Sequence, residues 1–243
     1  MPKEETVCKP RRGIHDIWWN AYMVKGAQFA PFSDIPVCPT TAKGPPSMII
    51  TYSEAVKIYH QELRKGNKDF LHMAFVSFYE DDDYDSSCGI WFRSGYAYRI
   101  LKHFAGIITP DFSTYQDFPM PLKTWNTYRM RAYGYWYGTL HGHEVINNVR
   151  WGTYETYHYC FDGIPENSMV AVATTGGNPH KLSNRSRFER GLAEMVKRLS
   201  PHTIIVYGSA NYPCFSALAE KGIAVIAYPS RMSLAFERSK RHE

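Results

Sequence analysis

The feature that most constrains the fold is a regular alternation of strand-like and helix-like segments between residues 48 and 229. Short apolar runs rich in β-branched residues predict six or seven strands, and stretches with apolar residues at helical spacing separate them. The predicted strands begin near residues 48, 70, 106, 144, 169, 203 and 223. Such alternation is typical of right-handed βαβ units joined into a mainly parallel sheet.

The sequence therefore predicts an α/β fold, and two architectures satisfy the pattern. One is an open doubly wound sheet, and the other is a small or incomplete TIM-type barrel. The chain contains neither G-x-G-x-x-G nor G-x-x-x-x-G-K-[ST], which would mark the first loop of a nucleotide-binding sheet. We therefore expect the incomplete barrel.

Three regions follow from the distribution of proline and charge. Residues 48–230 form the predicted α/β catalytic domain, and residues 231–243 form a basic C-terminal tail. Residues 1–47 form an extended N-terminal wrapping segment, in which 34–41 resembles a strap lying across a surface. Five prolines punctuate that segment: Pro31, Pro36, Pro39, Pro45 and Pro46.

Composition narrows the class of protein. Among 243 residues the net charge is +5, a mild basic bias compatible with a polyanionic partner. The five cysteines are far apart and form no C-x-x-C pair, so we expect no disulfide framework and no structural zinc. We also expect no cofactor. The charged N-terminus does not resemble a signal peptide, and no apolar run reaches the roughly 18 residues of a membrane span. These features predict a cytoplasmic protein.

Local signals also predict where helices begin and end. Ser53 is the expected N-cap of the first helix, and Gly66 its expected end. Ser186 and Glu189 have the spacing of a capping box for a later helix. A helix rich in tyrosine and arginine is expected over about residues 121–141.

Several long motifs resemble a domain family of unknown function that is found in bacteria, phages and mobile elements. The resemblance covers about residues 26–228, and its most specific motifs are DIPVCPTT, TPDFSTYQDFP, VINNVRWG and FDGIP. It implies a setting in mobile-element biology or in phage–host conflict, where nucleic acid is the usual substrate. A weaker analogy runs to the barrels of tRNA-guanine transglycosylases, in which an aspartate at a strand end acts on the sugar's anomeric carbon. This chain lacks the zinc-binding cysteines of the bacterial enzymes, so the analogy reaches only a zinc-free branch.

The candidate catalytic residues lie at the predicted carboxyl ends of the strands, where parallel α/β folds bind their ligands. Asp111 directly follows a strand, and a carboxylate beside a sugar stabilises the charge of an oxocarbenium-like transition state. A turn or helix cap is the structural alternative for Asp111. Asp82, within the acidic loop 80–85, is a second acid or a magnesium ligand, although such runs are usually solvated loops. Asn148 is a candidate for orienting water or a base, and a cap at the end of the sheet is its structural alternative.

A second set of residues has the chemistry of nucleic-acid binding. Arginines contact phosphates, a tryptophan stacks on bases, and glycines let backbone amides approach a phosphate. Packing at the rim of the core is the structural alternative for Arg150 and Trp151. In the helix that carries Arg129, helical geometry places half of the aromatic and arginine residues in the core. The predicted nucleic-acid-binding residues are Arg129, Arg150, Trp151, Gly176, Gly177, Arg185 and Arg187.

Three functional hypotheses remain open from sequence. The first is a DNA glycosylase that cleaves a base–sugar N-glycosidic bond, including bonds to modified bases, as a hydrolase or a transglycosylase-like enzyme. The second is a metal-dependent nuclease that uses loop 80–85. The third is a non-enzymatic nucleic-acid-binding, replication or anti-defence protein of a mobile element. DNA is the expected partner in each.

Overall fold

The computed structural model describes residues 19–80, 89–177, 179, 181–231, 233 and 234. Seven strands alternate with helices, as the sequence predicts. The strands are β1 (Ile49–Thr51), β2 (His72–Ser77), β3 (Phe104–Ile108), β4 (Glu144–Asn148), β5 (Met169–Ala173), β6 (Thr203–Tyr207) and β7 (Ala224–Tyr228). The α-helices are α1 (Tyr52–Arg64), α2 (Ser94–Leu101), α3 (Met120–Tyr135), α4 (Thr174–Gly177), α5 (Leu182–Leu199) and α6 (Pro213–Glu220).

The strands lie side by side in chain order, and every neighbouring pair is parallel. Right-handed crossovers between sequential parallel strands bring the helices to one face, and the twist of the strands curls the sheet. The result is a curled half-barrel of seven strands, which confirms the expected incomplete barrel. β5 and β6 are buried along their whole length, which explains why their sequences are apolar without alternation.

The core is divided by the sheet. Two clusters lie between the sheet and its helices, one centred on α3 and the other on α5. The α5 cluster uses Phe188, Leu192, Met195 and Leu199, which recur at helical spacing along one face. A third cluster contains only strand residues among its buried members and fills the concave side of the half-barrel: Phe75, Ile108, Ile146, Met169, Ala171 and Ile205.

The segment 38–42 is inserted between two strands, a different position from the surface strap that the sequence predicts. The amides of Thr41 and Ala42 donate to the Val145 carbonyl at 3.0 and 3.2 Å, and the Thr40 hydroxyl donates to the Met169 carbonyl at 3.1 Å. β4 and β5 pair directly only beyond this point, at Asn147 and Asn148. The segment thus replaces strand pairing at the amino-terminal end of the β4–β5 junction.

Two predicted caps are wrong in position. Thr51 is the N-cap of α1 and forms a capping box with Glu54, whereas Ser53 lies inside the first turn. The Ser53 amide and hydroxyl instead donate to the carboxylate of Glu80, in the loop that follows β2. Ser186 lies one turn inside α5, which begins at Leu182 without a side-chain cap.

The predicted tyrosine- and arginine-rich helix is present as α3. Its axis continues into one π-helical turn, Trp136–Leu140. Gly138 in that turn lies against Val145 and Thr41, so the turn packs on the inserted segment 38–42.

Candidate functional site: the strand ends around Asp111

The candidate site is built around Asp111, which follows β3 at the carboxyl end of the sheet. β4 is the neighbour of β3 and delivers Asn148 and Arg150 to the same place. Arg150 binds the carboxylate with two donors, because its Nε reaches Oδ1 and its Nη2 reaches Oδ2. The Asn148 amide nitrogen donates to Oδ1 at 2.9 Å. Three donors therefore fix the orientation of a carboxylate whose side chain is 6% exposed.

The tyrosine hydroxyl of Tyr79 extends this network across the sheet. It donates to the Asn148 side-chain oxygen at 2.9 Å, and the Tyr79 ring stacks on Tyr207 with 5.1 Å between ring centroids. Burial raises the pKa of Tyr79 well above its usual value, and the negative charge of Asp111 raises it further. Tyr79 is thus a hydrogen-bond donor throughout the neutral range.

The charge of Arg150 is secured by the same geometry. Burial lowers the pKa of its guanidinium, but the charge and hydrogen bonds of Asp111 outweigh this effect and raise the pKa overall. The ion pair remains partly accessible, because 22% of the Arg150 side chain is exposed. Bidentate pairs of this kind fix both distance and direction.

Arg131 supports the hydrogen-bond network of Asp111 through the main chain of β4. It was not among the predicted site residues. Its side chain is fully buried, and it donates to the main-chain carbonyls of Asn148, Cys160 and Asp162 at 2.9, 3.4 and 3.3 Å. Burial lowers its pKa to about 10, against the opposing effect of Cys38 and other nearby groups. No sequence signal separates Arg131 from Arg129, since both lie in the same aromatic helix.

A cleft of about 160 Å³ adjoins the ion pair. Its wall contains three of the predicted nucleic-acid-binding residues, Arg150, Trp151 and Arg187. The loop after β3 supplies the opposite side. The lining residues are Ser113, Thr114, Tyr115, Gln116, Arg150, Trp151, Gly152, Thr153, Arg187 and Phe188.

Trp151 is held as part of the core rim rather than as a free platform. Its indole lies against Gly191 of α5 and packs beside the rings of Phe161 and Phe188. A Cβ on Gly191 would approach the Trp151 ring nitrogen to 2.0 Å. Only part of the indole therefore lines the cleft.

The other predicted binding residues lie outside this lining. The Arg129 guanidinium stacks on Phe112 at 3.9 Å from the ring centroid and donates to Asn126. Arg185 donates to the Pro179 carbonyl ahead of α5. Gly176 and Gly177 form the end of α4, a single helical turn rather than an open loop.

The acidic loop bears on the nuclease hypothesis. Asp82 and its neighbours 81–85 lie outside the described residues. Glu80 is described, and it caps the first turn of α1 through Ser53. Within the described ranges, no three His, Cys, Asp or Glu side chains are grouped so as to hold a metal ion.

Among the described helices, none combines the length and the apolar character that crossing a bilayer requires.

The fold and the site define a class of protein: an α/β half-barrel whose strand ends hold a carboxylate–arginine pair beside a basic cleft. Residues 28–229 match the family model described as Domain of unknown function (DUF4417), and the chain belongs to that family. This confirms the resemblance inferred from the motifs.

Two curated phage proteins are similar to part of the chain. The Gene 1 protein of Mycobacterium phage D29 is 39% identical over 106 residues, which are 43% of this chain and 38% of that protein. The Gene 1 protein of Mycobacterium phage L5 is 36% identical over 113 residues, 46% of this chain and 48% of that protein. The match thus spans less than half of each curated relative. No solved structure matches the chain.

Proposed function

We propose that this protein acts on DNA and cleaves the N-glycosidic bond between a base and its sugar. The observation that carries the proposal is the placement of Asp111. Its carboxylate is fixed by Arg150 and Asn148 at the mouth of a parallel half-barrel, directly beside a cleft lined by two arginines. Strand ends of parallel barrels are where catalytic residues collect.

In this proposal Asp111 stabilises the positive charge that develops on the anomeric carbon. A carboxylate accepts about four hydrogen bonds, and the described residues supply three, which leaves acceptor capacity on Oδ2. Because the side chain is 6% exposed, the reacting sugar has to leave the base stack and enter the mouth. Asn148 orients the carboxylate, and its own oxygen is oriented by Tyr79.

The expected substrate is DNA, including DNA with modified bases, in phage–host conflict. The relatives from phages D29 and L5 support this setting, and the net charge of +5 suits a polyanion. The five dispersed cysteines are typical of a reducing compartment, so we place the protein in the cytoplasm. The zinc-free transglycosylase analogy predicts the same chemistry at an aspartate.

The test is incubation of the purified protein with unmodified and phage-modified DNA in the presence of EDTA. Liquid chromatography would detect free base, and alkali treatment would reveal abasic sites. Asp111→Asn should lower base release by about 100-fold or more, since the developing charge loses its carboxylate. The matched control is Asp117→Asn, which changes an exposed aspartate in the same loop.

Two outcomes would replace the proposal. Strand breaks that need Mg²⁺ and no alkali would indicate the nuclease hypothesis. DNA binding without any product, unchanged by Asp111→Asn, would indicate a binding protein.

A further inference from the structure

We propose that the cleft beside Asp111 is a phosphate-binding subsite in which Arg150 and Arg187 are the two cationic contacts. None of the ten described lining residues is acidic. Asp111 offsets the charge of Arg150, so the charge of Arg187 leaves the lining positive overall. The remaining lining residues include the hydroxyl side chains Ser113, Thr114 and Thr153, which hydrogen-bond phosphate oxygens well.

Arg150 has two usable edges. Its Nε and Nη2 are engaged with Asp111, whereas Nη1 has no hydrogen-bond partner among the described residues. Because Arg150 lines the cleft and 22% of its side chain is exposed, we assign this second edge to an anion bound there. A guanidinium carries five donors, so it can bind a carboxylate on one side and a phosphate on the other. The phosphate would then lie at a fixed position relative to Asp111.

Arg187 is oriented before any ligand arrives. Its Nη1 donates to the Gln116 side-chain oxygen at 2.6 Å, and its Nη2 donates to Asn184 at 3.1 Å. The loop that carries Gln116 is itself anchored, because Lys123 donates to the Gln116 carbonyl at 2.7 Å. Asn126 donates to the Ser113 carbonyl at the start of the loop. A site whose cations and loop are already ordered loses little entropy on binding.

The size of the cleft suits one group of a larger ligand. Its volume of about 160 Å³ is below the roughly 300 Å³ at which sites begin to enclose whole small molecules. A phosphate fits this space, while the rest of a nucleotide or strand would extend across the strand ends. The source of the phosphate is either an internal phosphodiester or a terminal phosphomonoester. That the phosphate belongs to DNA rests on the proposed function. The phosphate contact itself can be tested without any reaction.

The experiment is an NMR titration of the full chain with three probes. They are inorganic phosphate, a deoxynucleoside 5′-monophosphate, and a short single-stranded oligonucleotide with hydroxyl groups at both ends. The expected result is a shift of the backbone amide signals of residues 113–116 and 153 on addition of a probe. Arg187→Gln should weaken binding by about tenfold, as expected for loss of a charged hydrogen bond.

Arg190→Gln is the matched control. It removes the same charge from an exposed position on the same helix, outside the cleft lining. Equal unfolding temperatures of the two variants would exclude a folding defect as the cause of weaker binding.

The probes separate the two sources of phosphate. Tighter binding of the monophosphate supports a terminal phosphate, and tighter binding of the oligonucleotide supports an internal one. Equal weakening by Arg187→Gln and Arg190→Gln, or no shift of the loop amides with any probe, would overturn the subsite. If the protein releases bases but no phosphate contact is found, the phosphate subsite is rejected and the glycosylase proposal stands. If phosphate binds but no base is released, the subsite stands and the glycosylase proposal is rejected.

Discussion

At the scale of single residues, the loop after β3 contains a proline, Asp111 and Phe112, and the last two side chains have different roles. Phe112 is fully buried, with Trp91 at its edge and Arg129 over its face, so this aromatic ring is structural. The carboxylate next to it turns the other way, toward β4. A turn cap would bond to nearby backbone, but here the partners are side chains 37 and 39 residues away. These long-range partners exclude a local turn cap as the role of Asp111 and join the end of β3 to the end of β4.

Arg131 illustrates a residue whose role depends on main-chain geometry. It joins α3 to the end of β4 and to the segment 160–162 through carbonyl groups. Because the Asn148 carbonyl is one of these acceptors, Arg131 also fixes the strand end from which Asn148 reaches Asp111.

Replacing Arg131 with methionine should lower the free energy of unfolding by at least about 2 kcal/mol. The reason is that buried carbonyls lose their donors, and each loss costs about 1–3 kcal/mol. Urea denaturation followed by circular dichroism would measure it. The control Arg99→Met, at an exposed position on α2, should change the value by no more than about 0.5 kcal/mol. A similar loss of unfolding free energy in the two variants would contradict the role of Arg131 in joining these carbonyl groups.

At the scale of elements, α5 is positioned by a close approach between a glycine and an aromatic ring. Gly191 lets the helix lie against Trp151, which also contributes to the cleft. Glycine inside a helix is usually unfavourable by about 0.5–1 kcal/mol relative to alanine. Here the absence of a Cβ is what allows the helix and the strand end to meet.

The substitution Gly191→Ala should therefore destabilise the protein, by about 1–3 kcal/mol, despite the better helix propensity of alanine. Gly95→Ala on α2 is the opposite case, since a Cβ there meets nothing within 4 Å. That change should be neutral or stabilising by up to about 1 kcal/mol. Thermal unfolding of both variants would show whether the two changes in stability have opposite signs. Stabilisation by both substitutions would show that the Trp151 ring moves aside without cost.

The turn between α3 and β4 holds a histidine whose ionisation is linked to folding. The ring of His143 stacks on Tyr137 at 4.5 Å, and its Nε2 lies 3.2 Å from the Tyr98 hydroxyl. Burial lowers the pKa of His143, and the charge of His141 lowers it further. The unfolded chain thus binds the proton more tightly than the folded protein does.

Stability contributed by neutral His143 is present above the unfolded pKa of about 6.5 and is lost as the pH falls below it. The loss of unfolding free energy between about pH 7.5 and pH 5.5 should be smaller in His143→Gln than in the wild type. Denaturation curves at the two pH values would measure it, with His60→Gln as the control for removing an exposed imidazole. An identical pH dependence in His143→Gln and wild type would refute the linkage.

At the scale of the whole molecule, the inserted segment makes the N-terminal region part of the half-barrel. Asn147 donates to the Cys38 carbonyl at 2.8 Å, and the Cys38 amide donates to the Gly163 carbonyl at 2.7 Å. Gly163 has φ of +74°, and a Cβ there would lie 2.3 Å from the Pro36 carbonyl. Glycine in the FDGIP motif is therefore required by this contact. The family match, which begins at residue 28, agrees with an integral role.

Removal of residues 1–47 should abolish cooperative unfolding. Buried groups on β4 and β5 would lose their partners at about 1–3 kcal/mol each, and the total stability of a domain is only about 5–15 kcal/mol. Loss of the buried side chains of Met23, Ile35 and Cys38 adds to the effect. Circular dichroism melting of residues 48–243 would test it. A sharp transition at the wild-type temperature would show that the segment is an accessory to the domain.

Sequence by itself determined the alternation of elements and hence the parallel sheet. It also placed Asp111, Asn148 and Arg150 at or just beyond strand ends, because a strand that is buried on both faces is mostly apolar and polar residues collect near its end. The spacing of apolar residues is a local property of the chain, so it can be recognised from the sequence without the tertiary structure.

Tertiary structure alone decided which strand ends are neighbours and what each polar group contacts. Asp111 meets Arg150 because β3 lies beside β4. Thr51 is the cap because its backbone is extended just ahead of the first helical turn, whereas Ser53 lies inside that turn and donates to Glu80. The position of the inserted segment 38–42 and the burial of Arg131 were likewise decided by tertiary contacts. These contacts join residues far apart in the chain, and their energies depend on distance and burial, which a linear pattern does not encode.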